Sequence, residues 1–427
     1  MNRLSRRDLL LGSAGLGALS LLPGLGRSAS STWPLWRRQM RAMRWGVVPA
    51  ANRLIDINPA RDPALNPRLA SNPNTQTAPW SGNTLFTSII VAWCGACYDR
   101  DQDVLWLPLG GGHADYAGNE AYAIRLADET PAWRMPRPPS GSIPLGLIPL
   151  NDGQEASGDY ADGRPRATHS YNKHCYVPGL GPVCAVQGNV WRTSAAGTRR
   201  TLLLDEISGE WSTLATHPNP GNVYGGSCYD STRRQLFWMG TDGSWLTSFD
   251  PASGGWQVRE DGARSNESGY MALTHLPGHE LIVQLNVNIP GGFAVWDTQT
   301  AQRTRPGTSN AKPAHLSDSG GKAGGVWVPE LNAIAMWQNR VAGNTGPISL
   351  LRAPAQPRDM PWTWDSLPLA DTSVVPSVAV GNGTYGRFGH APGLDGFYLL
   401  NGINEPVYFF ALSDGHGVFA DGFENRF

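Results

Sequence analysis

The sequence predicts an all-β protein assembled from a repeated four-stranded antiparallel unit, and three observations carry that prediction. Its 427 residues include 51 glycines, 34 prolines and 17 tryptophans, a turn-rich and aromatic composition. Long stretches with the 3.6-residue apolar period of a helix are missing. Segments also recur: CYDRDQDVLWLPLGGGH from Cys97, CYVPGLGPVCAVQGNVWR from Cys175 and CYDSTRRQLFWMGTDGSW from Cys228 align at their starts, with less similar copies from Thr274, Val326 and Gly389.

Each copy reads as strand, tight turn, apolar strand and polar loop, then a third strand. Several are followed by an aspartate six residues before a tryptophan, as at Asp205 and Trp211 or Asp250 and Trp256; Asp297 and Arg303 share the spacing. The stretch GGGHADYAGNEAYAIRL (Gly110 to Leu126) shows one unit clearly. Its apolar run Val104 to Leu109 ends in three glycines, and an alternating run follows from Glu120 to Leu126. The glycine turn is expected to hold His113, Asp115 and Tyr116 out at one edge of a small sheet.

Residues 1–30 read as an export signal. The basic head contains S-R-R-D-L-L, and the apolar stretch from Leu9 to Leu25 is broken by Gly12, Gly15, Gly17, Pro23 and Gly24. That run falls short of the ~20 apolar residues a membrane span needs. Small residues follow at Ser28, Ala29 and Ser30, and a weakly apolar core behind Arg6 and Arg7 resembles a twin-arginine leader. The expected location is periplasmic or extracellular. Residues 31–427 form one expected domain, since no charged or Ser/Gly-rich linker divides them. Without Arg3, Arg6, Arg7, Arg27 and Asp8 there remain 30 basic and 34 acidic residues, a balance that argues against nucleic acid or a membrane surface as partner.

Five cysteines, Cys94, Cys97, Cys175, Cys184 and Cys228, cannot all pair. Cys175 and Cys184 flank the turn Pro178 to Gly181, and a hairpin disulfide between them is compatible with an exported chain. Cys94 and Cys97 form a lone CxxC, so no metal site is assigned on ligand spacing and no cofactor is identified.

Four-stranded units of this period, with glycine after the second strand and tryptophan on the fourth, resemble kelch-type β-propeller blades. Six blades are visible in the sequence. The family commonly has seven, so Trp33 to Asn83 with the C-terminus is expected to hold a divergent one. The last visible blade runs out after three strands, and Trp36 to Val48 offers an aromatic strand to close it. Residues 138–166 then form an insertion between the first two blades. A closed ring of this kind is expected to be a monomer.

In a propeller meander, the loop from second to third strand and the connection into the next blade lie on the same face, around the mouth of the central channel. The loops bring His113, Asp115, Arg192, Asp242 and Arg340 there. Four residues before each repeat start stand Trp93, Tyr171, Tyr224, Tyr270, Lys322 and Tyr385, five of them aromatic. Two readings of that ring stay open: repeated packing residues, or aromatic faces for sugar rings beside polar groups that satisfy hydroxyls. Residues peculiar to one blade, His113, His169 and Arg192, carry more information than repeated ones.

GGGHADYAGNEAYAIRL, then RPRATHSYNKHCYVPG and GNVWR, resemble secreted bacterial kelch-like propellers and are similar in layout to propeller-type ulvan lyases. The resemblance implies β-elimination on a uronate-containing polysaccharide. It makes Arg192 the group that neutralises the carboxylate and His113, with His169, an acid/base or positioning group. A tyrosine would move the proton, with Tyr171 first and Tyr176 second, because Tyr176 recurs as Tyr98 and Tyr229. Asp115, Tyr116, Tyr224, Asp242, Tyr270, Arg340 and Tyr385 are the expected substrate contacts. Copper-radical oxidase propellers are set aside because no Tyr is followed by His, and sialidase propellers because Ser-x-Asp-x-Gly-x-Thr-Trp boxes are missing. A non-catalytic binding propeller of the cell envelope is the alternative. The tail His416 to Phe427 is left open as a sorting tag or a closing strand.

Overall fold

A computed structural model describes residues 32–59, 87–112, 115–140, 159–160, 162–188, 190–191, 198–218, 224–240, 246–260, 270–286, 289–316, 322–338, 346–370 and 374–415. These contain six four-stranded antiparallel sheets. Blade 1 comprises β2 (Cys97–Asp99), β3 (Val104–Leu107), β4 (Ala121–Arg125) and β5 (Arg134–Arg137). Blade 2 comprises β6 (His174–Val177), β7 (Gly181–Cys184), β8 (Arg200–Leu204) and β9 (Trp211–Thr216). In blade 3 the strands are β10 (Gly225–Asp230), β11 (Gln235–Gly240), β12 (Leu246–Asp250) and β13 (Gly255–Glu260). Blade 4 has β14 (Met271–Leu276), β15 (Leu281–Asn286), β16 (Phe293–Asp297) and β17 (Arg303–Thr304). Blade 5 has β18 (Gly324–Val328), β19 (Ala333–Trp337), β20 (Ser349–Arg352) and β21 (Thr363–Ser366). Blade 6 joins β22 (Phe388–Ala391), β23 (Gly396–Leu399) and β24 (Tyr408–Ala411) to β1 (Arg44–Val47) near the start of the chain.

The recurring aspartates explain why these strands turn where they do. Asp99 Oδ1 accepts from the backbone N–H of Asp101 and Gln102, and Asp230 Oδ1 from Thr232 and Arg233, closing the first hairpins of blades 1 and 3. Asp205, Asp250 and Asp297 do the same between third and fourth strands, each accepting from the second residue onward. A short carboxylate that satisfies turn amides takes over the role of a backbone turn bond, so the spacing to the following tryptophan records hairpin geometry.

Ring closure is by β1 on β24, with Trp45 opposite Phe410, so the expected closing strand is present. Among the described residues the expected seventh blade is not present, and residues 60–83 and 416–427 of that expectation lie outside them. Trp33 to Asn58 contributes that one strand and short helical turns, and runs along the seam between the last blade and the first. Trp36 Nε1 donates to Asp128 O in blade 1, while Arg37, wholly buried, donates to Leu394 O, Asp395 O and Ser413 O in blade 6. Blade 6 meets blade 1 directly: Tyr98 and Tyr398 stack with centroids 4.6 Å apart, and Arg387 Nε donates to Cys94 O at 2.8 Å. Gly386 permits that approach, since a Cβ there would lie 2.0 Å from Ala96 O. The register of β6 on β7 sets Cys175 opposite Val183 and Cys184 opposite His174, which puts the two sulfurs on opposite sides of the sheet. The expected hairpin disulfide therefore does not form, and all five cysteines are free thiols.

The β2–β3 turn also sets a pH dependence. Asp103, 8% exposed, accepts from Tyr98 Oη at 2.9 Å. Burial raises its pKa to about 6, and the hydrogen bond offsets part of that rise. Because the folded value exceeds the unfolded one, this group's contribution is complete below the ordinary aspartate range and is lost as pH rises through about 6. Asp103→Asn, which tolerates the left-handed backbone at this position (φ 54°), should therefore raise the melting temperature at pH 8 by an amount equivalent to about 2 to 3 kcal/mol. The gain should shrink as pH falls through about 6 and vanish below about pH 3. A pH-independent difference in melting curves would assign the effect to something other than the carboxyl.

Candidate functional site

Backbone contacts between blades 1 and 2 build one mouth of the channel. The Tyr171 N–H donates to Trp93 O at 2.6 Å, and the Gly95 N–H donates to Ser170 Oγ at 2.9 Å. The loop after β3 lies against the segment that leads into β6. Gly112 has φ 79°, and a Cβ there would fall 2.4 Å from the His169 backbone nitrogen, so both backbone angle and approach require glycine. Asp115, just beyond, is thereby delivered to His169.

The result is a hydrogen-bonded chain of three side chains. His169 Nε2 lies 2.7 Å from Asp115 Oδ2, and Tyr171 Oη lies 3.5 Å from His169 Nδ1. Asp115, acceptor only when ionised, accepts a hydrogen bond from Nε2–H and leaves the Nδ1 lone pair facing the tyrosine. That polarity suits removal of the Tyr171 proton, following the logic of a nucleophile, base and orienting carboxylate.

Around this chain the predicted ring converges on the channel axis. Tyr171 makes ring contacts with Tyr224 (5.1 Å), Tyr270 (5.9 Å) and Tyr385 (6.1 Å), thus reaching blades 3, 4 and 6. Trp93 lies 5.0 Å from the His169 ring, and Lys322 Nζ sits 4.5 Å from the centroid of Tyr270. Trp93, Tyr171 and Tyr385 have φ of 54°, 43° and 49°, left-handed backbone that costs bulky residues about 1–2 kcal/mol each. Three of the eleven left-handed non-glycine residues among the described residues therefore fall at these six equivalent positions.

Sequence reasoning missed Lys173. Its side chain is wholly buried, with Nζ 5.1 Å from the Tyr171 centroid and 3.4 Å from Gly188 O. Burial lowers its pKa to about 8. The signal was present in THSYNKH, where a basic residue stands two positions after the tyrosine in a chain of only three lysines. Burial also pushes the Tyr385 phenol well up, and raises that of Tyr270.

His113, Arg192, Asp242 and Arg340 lie outside the described residues. Tyr116 is not at the edge: it is fully buried in the core between the seam and blade 1, its Oη donating to the buried Glu120 carboxyl at 2.7 Å. Tyr385 is 0% exposed and forms part of the base of the aromatic cluster, its ring 6.1 Å from that of Tyr171. Tyr176 lines the other end of the channel, near Asp99 and Glu206, and does not join His169. Among the described residues no three His, Cys, Asp or Glu side chains are placed to hold a metal, and no helix is long and apolar enough to cross a membrane.

No protein-family model matches the chain, nor does any curated protein sequence. Among solved structures it is similar to YjhT, at 12% identity over 60% of this chain and 89% of that one, with a TM-score of 0.35. It is also similar to a putative 6-phosphogluconolactonase from Bacteroides uniformis (9% identity, 74% and 78% covered, TM-score 0.40) and to the WD40 repeats of RRP9 (10%, 74% and 79%, TM-score 0.38). Likenesses this distant carry no argument about chemistry. The strand pairing of the chain itself establishes what it is: a six-bladed β-propeller of four-stranded antiparallel blades, closed by its own N-terminal strand.

Proposed function

We propose that this is an exported, kelch-like, carbohydrate-active propeller, a lyase that cleaves uronate-containing polysaccharide by β-elimination. The observation that carries the reading is the Asp115–His169–Tyr171 chain at the channel mouth. Tyr171, relieved of its proton by His169, takes the C5 proton of the uronate. The C5–H electrons form the C4=C5 bond as the C4–O4 bond breaks, and the proton returns to O4 of the departing sugar. Asp115 holds the tautomer that makes His169 the acceptor. The cationic role implied for Arg192 falls outside the described residues, and Lys322 is a described cation on the same face.

A second reading has its own observation. His169 and Tyr171 are each only 2% exposed, which favours a propeller that binds glycan on aromatic edges without acting on it. Incubation with polyuronates, followed by ultraviolet absorbance of the C4=C5 product, separates the two. A time-dependent rise supports the lyase. Retention of the protein by immobilised polyuronate without any such rise establishes the binding module and removes the lyase.

A further inference from the structure

At the end of the channel away from the aromatic cluster lies a cavity of about 250 Å³, walled by the inner strands and by the turns that follow them. We propose that it is a second ligand site, specific for a small monocarboxylate of sugar-acid size, with Arg100 at its rim pairing the carboxylate and His174, His275 and His390 on its wall holding the rest.

The position of these side chains follows from the repeat. One residue after each repeat start stand Tyr98, Tyr176, Tyr229, His275, Trp327 and His390, a second six-membered aromatic ring below the first. In two blades, therefore, an imidazole stands where three others carry a phenol. His174 enters from the position before the repeat start of blade 2. It is 4% exposed, and neither ring nitrogen has a hydrogen-bond partner, although the Gly95 backbone lies near. A buried donor and acceptor left unmatched keep their desolvation penalty until something in the cavity meets them. His275 Nε2 lies 3.2 Å from Asp230 Oδ1, outside hydrogen-bond geometry.

Charge selects the class of ligand. Arg100 is exposed on the turn after β2 and forms no ion pair among the described residues. Its charge nevertheless opposes protonation of His275 and His390 and favours the anionic forms of Cys175 and Tyr398, so it stands over the channel end and is felt in blades 2, 4 and 6. Asp230 is already committed to turn amides and Arg233, which leaves Asp101 as the carboxylate at the rim. Burial drives His174 and His390 down to about 3, so both are neutral rings that offer one donor and one acceptor each. One cation above neutral donors fits a single negative charge; a phosphate dianion lacks a second cation, and a metal lacks a ligand set. A cavity of about 250 Å³ is of the size that takes a small molecule such as one monosaccharide.

The site does not depend on the lyase reading, and the test keeps them apart. Calorimetric titration of the full chain with glucuronate should show one site, and glucose, which differs at the carboxylate, should bind at least about tenfold more weakly. Arg100→Gln changes an exposed side chain and should weaken glucuronate about ten- to a hundredfold, the loss of one charge-assisted pair. Tyr171→Phe should leave this binding unchanged. Equal binding of glucose would make it a polyol site, absence of binding would make it a water-filled channel, and loss with Tyr171→Phe but not Arg100→Gln would move the ligand to the other mouth. Each of those results overturns the proposal.

Discussion

Replacing Tyr171 by phenylalanine is expected to reduce the rate of polyuronate cleavage about 10² to 10⁴-fold, the usual contribution of a positioned proton-transfer group, with little change in melting temperature. The stability expectation follows from the geometry, because phenylalanine keeps the ring contacts with Tyr224, Tyr270 and Tyr385 and gives up the 3.5 Å contact to His169. Asp115→Asn should impair the same step by a different route. An amide in place of the carboxylate can donate to Nε2, which favours the tautomer with its proton on Nδ1, facing the tyrosine. The double variant should be no slower than the worse single one, since the residues act as a unit. A Tyr171→Phe enzyme at wild-type rate would remove the relay from the mechanism; a fall in melting temperature without loss of rate would make the cluster a plug.

The largest effect on stability is expected at Arg387. It is 0% exposed and donates to three carbonyls, those of Cys94 and Leu400 at 2.8 and 2.7 Å and that of Gly383, so that it ties blade 6 to blade 1. Burial lowers its pKa only to about 10, so it remains a cation. Arg387→Met fills similar volume but leaves three buried acceptors unpaired, each worth about 1–3 kcal/mol. A loss of about 3–5 kcal/mol in urea-induced unfolding is expected, and Arg387→Lys should recover little, because an ammonium cannot reproduce the planar fork. A loss under 1 kcal/mol would show that water replaces the guanidinium at the blade junction.

The parts of this architecture legible in the sequence are those that six blades repeat. The Cys-Tyr starts of three blades, the aspartates before the fourth strand in three, and the aromatic position ahead of the inner strand in five of six are requirements of the repeated backbone, so they stand out against variation. What blades do not repeat was harder to see. Trp33 to Asn58 is aromatic enough to pass for a blade, yet its tryptophans serve a seam, with Trp33 under Arg37 and Trp36 against Phe409. Tyr116 looked like a loop residue because glycines precede it; only the fold shows the buried Glu120 that draws it inward. The wall histidines were concealed by being scattered over three blades. Their signal was positional, since two occupy a site where other blades carry an aromatic ring.

The seam has a consequence for how the molecule comes into being. Arg37 and Ser413, which hydrogen-bond across it, are 376 residues apart. Nothing made early can complete the circle, so a nascent chain must carry up to five finished blades with a gap whose two edges are unpaired until β24 is synthesised. Contacts of such separation make the last step slow relative to the hairpins. Once made, the joint consists of four residue pairs between Arg44–Val47 and Tyr408–Ala411 and the arginine beside them, so cutting the chain between β1 and blade 1 is expected to shorten the lifetime of the folded ring more than its equilibrium stability, which unfolding rates in denaturant would check.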